Sequence, residues 1–268
     1  MSLIHSRPLI PVSPQGLDEI AESLLQKTPA SPPSNAGVSP PSPARNVNNP
    51  GDYIILEGKV HDAYTYPDLL VAMNTRHQGT NWRDAHVALD KEGAFMLGIR
   101  QFVDFLTLLK SGNAYDGLGK KLSTARLKTI YEDIVAVRDP WRSEWLDADF
   151  KVLGKKFGTF GGKVAMHYEH KIVNGTLTPS RANEVLVGYC AKDKTPGISL
   201  DDWLARATYQ GLPPADVKDG ALYYWQPGKD DNSVAGFCAD SGRAGLNCVR
   251  DPSLTVATLG VRAARKKN

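Results

Sequence analysis

Three cysteines in 268 residues, Cys190, Cys238 and Cys248, are too few and of the wrong parity for a disulfide framework. The spacing from Cys238 to Cys248 fits neither a zinc knuckle nor a redox pair. That leaves reduced thiols, with one facultative bridge as the alternative. Long apolar runs are missing too: none approaches transmembrane length, and Met1 to Pro14 has no apolar core of signal-peptide size. A cytoplasmic location by default, with no membrane insertion, is therefore expected. Neither sign of charge is in excess, with 32 basic residues against 29 acidic. A sequence-independent phosphate binder clusters Lys and Arg on one face. Here the only basic run is Arg262, Arg265, Lys266 and Lys267, which reads as a solvated tail, so no nucleic-acid partner is expected.

Catalytic signatures are equally scarce. No Ser/His/Asp or Cys/His arrangement stands out by spacing. His167 and His170 fall on opposite faces if the segment is a strand, and a helical ligand pair is more usually four apart, so they read as surface or satisfied histidines. Gly154, Gly158, Gly161 and Gly162 with Lys155, Lys156 and Lys163 share only composition with a phosphate-cradling loop. The P-loop order is absent and the segment reads as turn-rich. Asn174-Gly175-Thr176 is a glycosylation sequon, but Asn174-Gly175 more simply marks a turn between strands. Trp141, Trp145 and Trp203 read as core residues in helical or flanking contexts. No catalytic residue, metal ligand or cofactor is expected.

What is present falls into three parts. Residues 1–27 contain a short helix candidate, with Ser13 as cap, Pro14 at the first helical position, and Leu17, Ile20, Ala21, Leu24 and Leu25 on one face. Alone it is too short to be stable and must dock on something. Residues 28–51 are rich in Pro, Ser, Asn and Ala with Arg45 as their only charge, the composition of an extended tether. Residues 52–268 read as one globular domain with a real core, consistent with 41% apolar residues overall. Within it Tyr53 to Leu56 predicts a strand, Pro67 to about Met73 a helix start, and Trp82 to Leu89 a short helix. Phe95 to Leu109 carries Phe102, Phe105, Leu106 and Leu109 at helical spacing. Ser123 to Val137 opens on a capping serine, and Ser199 to Gln210 has Asp201 and Asp202 in its first turn. After Gly211 short β-type runs follow: Ala221–Trp225, Val234–Ala239, Leu246–Arg250 and Leu259–Arg262. Helices early and short, loop-rich strands last predict an α+β domain.

The last segment is compositionally odd. Between Asp230 and Arg265 there is no Lys, Glu, Gln, Met or Trp, although those types are common elsewhere outside the tether. The arrangement Trp225, Val234-Ala235, Phe237, Ala244-Gly245-Leu246, Arg250-Asp251-Pro252-Ser253 and Leu259-Gly260-Val261-Arg262 resembles the C-terminus of variable proteins of diversity-generating retroelements. Trp82-Arg83-Asp84-Ala85 and Gln101 to Leu106 are similar, less specifically, to that family's early helices. The resemblance implies a C-type lectin fold of the type shared with formylglycine-generating enzymes, with Leu-Gly-Val-Arg as a closing core strand. It also implies adenine-directed rewriting of codons in a variable segment, about 231–262. Adenine-rich codons that end in a pyrimidine cannot encode the five missing residue types, so such a history would leave this depletion.

Side chains alternate along an extended chain. If Phe237, Ala239, Ser241, Leu246, Cys248, Arg250, Ser253, Thr255 and Ala257 form the framework, then Gly236, Cys238, Asp240, Gly242, Gly245, Asn247, Val249, Leu254, Val256 and Thr258 are the candidate ligand-binding set. The first set should be buried and the second should point outward, with Cys238 and Cys248 on opposite sides. The set lacks Tyr and Trp, the usual anchors of binding energy. The expected partner is a protein or cell-surface ligand. The alternatives are a formylglycine-generating-type oxidase, which needs a close reactive cysteine pair on copper, and a structural or assembly protein without a variable site.

Overall fold

The computed structural model describes residues 49–153, 163–185, 190–228 and 232–267. The expected N-terminal helix, most of the tether and the Gly/Lys-rich stretch lie outside the described residues, Lys163 excepted. The described part is a mixed α+β arrangement. Strands β1 (Tyr53–Leu56), β2 (Lys59–His61), β3 (Tyr64–Tyr66) and β4 (Leu69–Ala72) precede helix α1 (Trp82–Lys91). After β5 (Phe95–Met96) come α2 (Ile99–Ser111) and α3 (Thr124–Val135). The long strands β6 (Arg142–Leu153), β7 (Lys163–Val173) and β8 (Thr176–Val185) follow. Last are β9 (Lys194–Ile198), α4 (Leu200–Arg206), β10 (Leu222–Trp225), β11 (Ser233–Ala239), β12 (Ala244–Arg250), β13 (Leu259–Val261) and β14 (Ala263–Lys266).

The helices begin where the capping chemistry puts them. Asn81 and Ser123 accept from the backbone N–H of Asp84 and Arg126, and Ser199 from that of Asp202. α2 stops at Gly112, whose φ of 68° suits a left-handed cap. Helix α4 ends at Arg206, short of the expected Gln210, and Trp203 Nε1 donates to the Gly211 carbonyl beyond it. The expected helix start at Pro67 is instead strand β4. Leu69 and Val71 face one core and Leu70 and Ala72 a second, so both its faces are apolar and its periodicity does not separate strand from buried helix.

Two sheets share the strands. A small antiparallel sheet has the order β1-β4-β14-β5. A large one has the order β8-β7-β6-β11-β12-β10-β9, with β13 lying parallel along the first part of β6. The β6–β8 strands in the middle of the chain are longer than any strand predicted from the sequence. β8 offers no apolar alternation, reading Thr-Leu-Thr-Pro-Ser-Arg-Ala-Asn-Glu-Val, and β6 buries Ser143, Glu144 and Asp147 among its apolar residues. Trp145, read as helical or flanking, lies on β6 and donates from Nε1 to the Thr80 carbonyl. Asn174 and Gly175, with φ of 51° and 76°, make the expected turn between β7 and β8.

The large sheet is covered along one face and, on the other, over β6, β13 and the start of β11. Phe237, Leu246, Cys248, Tyr224 and Phe150 face a core filled by Phe102, Phe105, Leu106 and Trp203. Trp145, Val234, Leu259 and Val261 face a second one with Trp82, Ala85 and Leu89.

Arg262 corrects the expectation of a solvated basic tail. It is almost wholly buried at the junction of β13 and β14. Its guanidinium donates to Glu144 Oε2 at 3.0 Å and Oε1 at 2.6 Å on the large sheet, and to the Ala72 carbonyl at 2.8 Å on the small one. Arg142 also pairs with Glu144 and with Asp133 on α3. Burial alone would raise the Glu144 carboxyl, but the guanidiniums of Arg262 and Arg142 outweigh it and hold it below its ordinary 4.5. The unfolded chain therefore binds this proton at higher pH than the folded one. The stabilisation is fully present above about pH 4.5 and is lost as pH falls through the lower folded value. Unfolding followed by fluorescence from pH 7 to pH 3 should show a falling acid limb that is shallower in Glu144→Gln, itself less stable at pH 7.

Candidate functional site

β11 and β12 pair antiparallel with Phe237 opposite Leu246 and Cys238 opposite Gly245. Phe237, Ala239, Leu246 and Cys248 are buried in the first core, while Cys238, Asp240, Asn247 and Val249 on the other side are half-buried and Gly242 is exposed in the turn. The two cysteines thus fall on opposite faces, and all three cysteines are free thiols. Asp240 builds the turn itself, its Oδ1 accepting from the N–H groups of Gly242 at 2.8 Å and Arg243 at 2.9 Å.

Elsewhere the alternation breaks. Gly236 is buried beneath the Arg250 side chain, which stacks over the Trp145 ring at 5.7 Å and donates to Ser143 Oγ at 2.8 Å. A Cβ at Gly236 would lie 3.3 Å from Arg250 Cδ. Gly245 is buried against β10, and a Cβ there would lie 2.8 Å from the Tyr223 carbonyl oxygen. Neither position can offer a side chain to a ligand without rearrangement. Beyond Pro252 the phase inverts: Ser253, Thr255 and Ala257 are exposed, and Leu254, Val256 and Thr258 are half-buried. Leu254 and Val256 pack on the second core. Asp251 Oδ1 accepts from both the N–H and the hydroxyl of Ser253, so a turn replaces the strand and a period of two no longer applies. Ser241 is exposed and Arg250 half-buried, so neither is sealed framework.

On the same side as the candidate set, the neighbouring strand carries a half-buried tyrosine and a buried tryptophan. β10 pairs parallel with β12, with Tyr223 opposite Gly245 and Trp225 opposite Asn247. Tyr224 points into the first core, so Tyr223 and Trp225 share the face of Asn247. Their ring centroids are 5.7 Å apart, and the Arg243 guanidinium lies 5.4 Å and 5.6 Å from them. Tyr223 and Trp225 were legible as strand residues. Their adjacency to β12 was not, because a parallel partner in the same sheet is not encoded by local pattern.

No family model, curated protein or solved structure matches the chain.

A second concave feature lies between α1, β6 and β7. A cavity of about 380 Å³ is lined by Tyr64, Tyr66, Met96, Tyr168 and Arg181 among others, and holds His86, Asp147 and His170 in its wall. His170 Nδ1 is 2.5 Å from Asp147 Oδ1, and its backbone N–H donates to Oδ2 at 3.0 Å. His86 Nε2 is 3.6 Å from Asp147 Oδ1, too far for a hydrogen bond, and is buried without a partner. An unpaired buried group of this kind costs about 1–3 kcal/mol. Burial pushes the His86 pKa down to about 4, with the nearby His170 adding to the shift and Asp147 opposing it, so the ring is neutral at pH 7. Trp82 meets both imidazoles edge-on, at 4.5 Å and 5.0 Å between centroids. His170 was singled out in the sequence beside His167, which does not line the cavity and lies 3.9 Å from Asp149. The partners His86 and Asp147 had no signal, being 84 and 23 residues away from His170.

Proposed function

We propose that this chain is a non-enzymatic ligand-binding protein whose recognition face is the outer side of β10, β11 and β12. The observation that carries the reading is the division of the β11–β12 hairpin. Its inner side, Phe237, Ala239, Leu246 and Cys248, is closed into the core, while on the other side Cys238, Asp240, Asn247 and Val249 are half-buried and Gly242 is exposed, beside half-buried Tyr223 and Arg243 and the buried Trp225. A face held by a sealed underside tolerates changes of recognition residue without loss of the fold. The half-buried Tyr223 ring, pinned by the Arg243 cation and backed by Trp225, provides anchor area at low entropic cost, which suits a protein or cell-surface ligand.

The reading includes the family resemblance: a variable protein of a diversity-generating retroelement on a C-type-lectin-like scaffold. In its support, Leu-Gly-Val forms the buried strand β13 with Arg262 directly after it, and the two early family-like stretches lie on α1 and α2. The five open positions lie within the segment that lacks Lys, Glu, Gln, Met and Trp. The oxidase alternative is disfavoured because Cys238 and Cys248 stand on opposite faces of one hairpin and cannot close on one copper ion. Burial also holds the Cys248 thiol well above its ordinary range. Among the described residues no helix is long and apolar enough to cross a membrane.

The test is genomic. The DNA around the coding region should contain a near-copy of the stretch encoding residues 231–262 and a reverse-transcriptase gene. Sibling strains should differ at 238, 240, 242, 247 and 249 while keeping Gly236, Gly245, Leu246 and Cys248. A locus with neither element, and siblings identical at the five open positions, would sink the reading.

A further inference from the structure

We infer that His86, Asp147 and His170 form a binding site for one divalent cation of the zinc class, set in the wall of the cavity and independent of the recognition face. Three observations converge on it. The donor set is two imidazoles and one carboxylate, the combination that zinc and its neighbours in the first transition row take with one coordination position left to water or ligand. The three residues come from α1, β6 and β7, each is buried, and their donor atoms lie within 4.8 Å of one another. His86 Nε2, finally, is sealed from water with no hydrogen-bond partner, and its nearest charged neighbour is the Asp147 carboxylate. A cation between them gives that nitrogen the partner it lacks.

The charge balance points the same way. Among the described residues Asp147 makes no ion pair with Lys or Arg, and its charged-group contacts are His86 and His170 alone. A carboxylate buried to this degree ordinarily has a cation beside it. Zinc bonds to nitrogen and oxygen at roughly 2.0–2.2 Å, which places tetrahedral ligand atoms about 3.4 Å apart. The 3.6 Å separation of His86 Nε2 from Asp147 Oδ1 already suits this. The 2.5 Å contact of His170 Nδ1 with the same oxygen must open by roughly 1 Å as the metal replaces the hydrogen bond. Trp82, wedged edge-on against both imidazoles and donating from Nε1 to the Leu146 carbonyl, fixes the ring planes, and the cavity provides entry and room for the open position.

The experiment uses the full chain, stripped by a chelator and titrated with Zn²⁺ alone and with Co²⁺ alone. One equivalent should bind, and the cobalt form should show visible absorption of a nitrogen- and oxygen-ligated site. In histidine-resolved NMR with Zn²⁺, the ring signals of His86 and His170 should move while those of the other four, His5, His61, His77 and His167, stay. Asp147→Asn, which preserves shape, should bind at least about 100-fold more weakly, and zinc should raise the Tm of the parent chain but not of this variant. Failure to take up either ion overturns the inference. So does uptake that moves other histidines, or an Asp147→Asn variant of unchanged affinity. Should that variant not fold, the NMR assignment on the parent chain decides by itself. None of these outcomes bears on the recognition face, whose test is genomic.

Discussion

Arg262→Met should lower the unfolding free energy by about 3–5 kcal/mol, the cost of breaking a buried ion pair. Glu144 is buried with Arg262 on one side and Arg142 on the other, and Arg262 alone reaches from it to the Ala72 carbonyl of the small sheet. Removing the guanidinium leaves Glu144 with Arg142 as its remaining cation and takes this donor from the Ala72 carbonyl, and it also removes the cation stacked over Phe105 at 5.5 Å. Replacing both members, Arg262→Met with Glu144→Leu, should destabilise by less than the two single losses added together, because no carboxylate is then stranded. Urea midpoints of the parent chain, both single variants and the double variant check this. A single Arg262→Met within 1 kcal/mol of the parent would show that the cluster adds nothing to the fold.

Leu246→Asp and Val249→Asp should give opposite results although they are three residues apart on one strand. Leu246 is fully buried in the first core, so an aspartate there combines a lost apolar side chain with an unpaired buried charge, a loss above about 4 kcal/mol that leaves little folded protein. Val249 is half-buried on the outer face, and the same change should cost under about 1 kcal/mol. Soluble yield and thermal midpoint read both. The same logic separates the candidate set into two classes. Val256→Asp should behave between the two, because Val256 packs on the second core, and it should act through stability and not through recognition. Equal tolerance at 246 and 249 would remove the physical basis for a one-sided face.

How much of this was legible in the sequence depended on whether the signal was local. Caps and amphipathic stripes are local, so α1, α2 and α3 were foreseeable, the last with its Ser123 cap, although the helical stretch read from Phe95 begins only at Ile99, after strand β5. The alternation over Phe237 to Ala239 and Leu246 to Val249 was foreseeable as well, since strand geometry alone sets it. What stayed hidden depends on residues far apart in the chain. β4 looked helical because its two faces, Leu69 and Val71 on one side and Leu70 and Ala72 on the other, are both packed against apolar cores. Gly236 and Gly245 were placed among the outward positions because only the positions of Arg250 and Tyr223 show what covers them. Arg262 looked like tail because its partners are 118 and 190 residues away. The His86–Asp147–His170 cluster joins a helix to two strands that the sequence pattern did not separate from irregular chain.

The placement of β13 and β14 has a consequence for how the protein is made. β14 lies between β4 and β5, and β13 supports the first part of β6, so the two sheets are completed by residues 259–266. During synthesis these follow every other strand of the two sheets off the ribosome. A chain stopped or shifted out of frame anywhere in the preceding segment would expose the edge of β4, release β5 and lack Arg262. The cell's proteases would meet it as an open chain. The closing strands thereby act as an integrity check on everything encoded just before them, and only products read through in frame reach a closed, durable form.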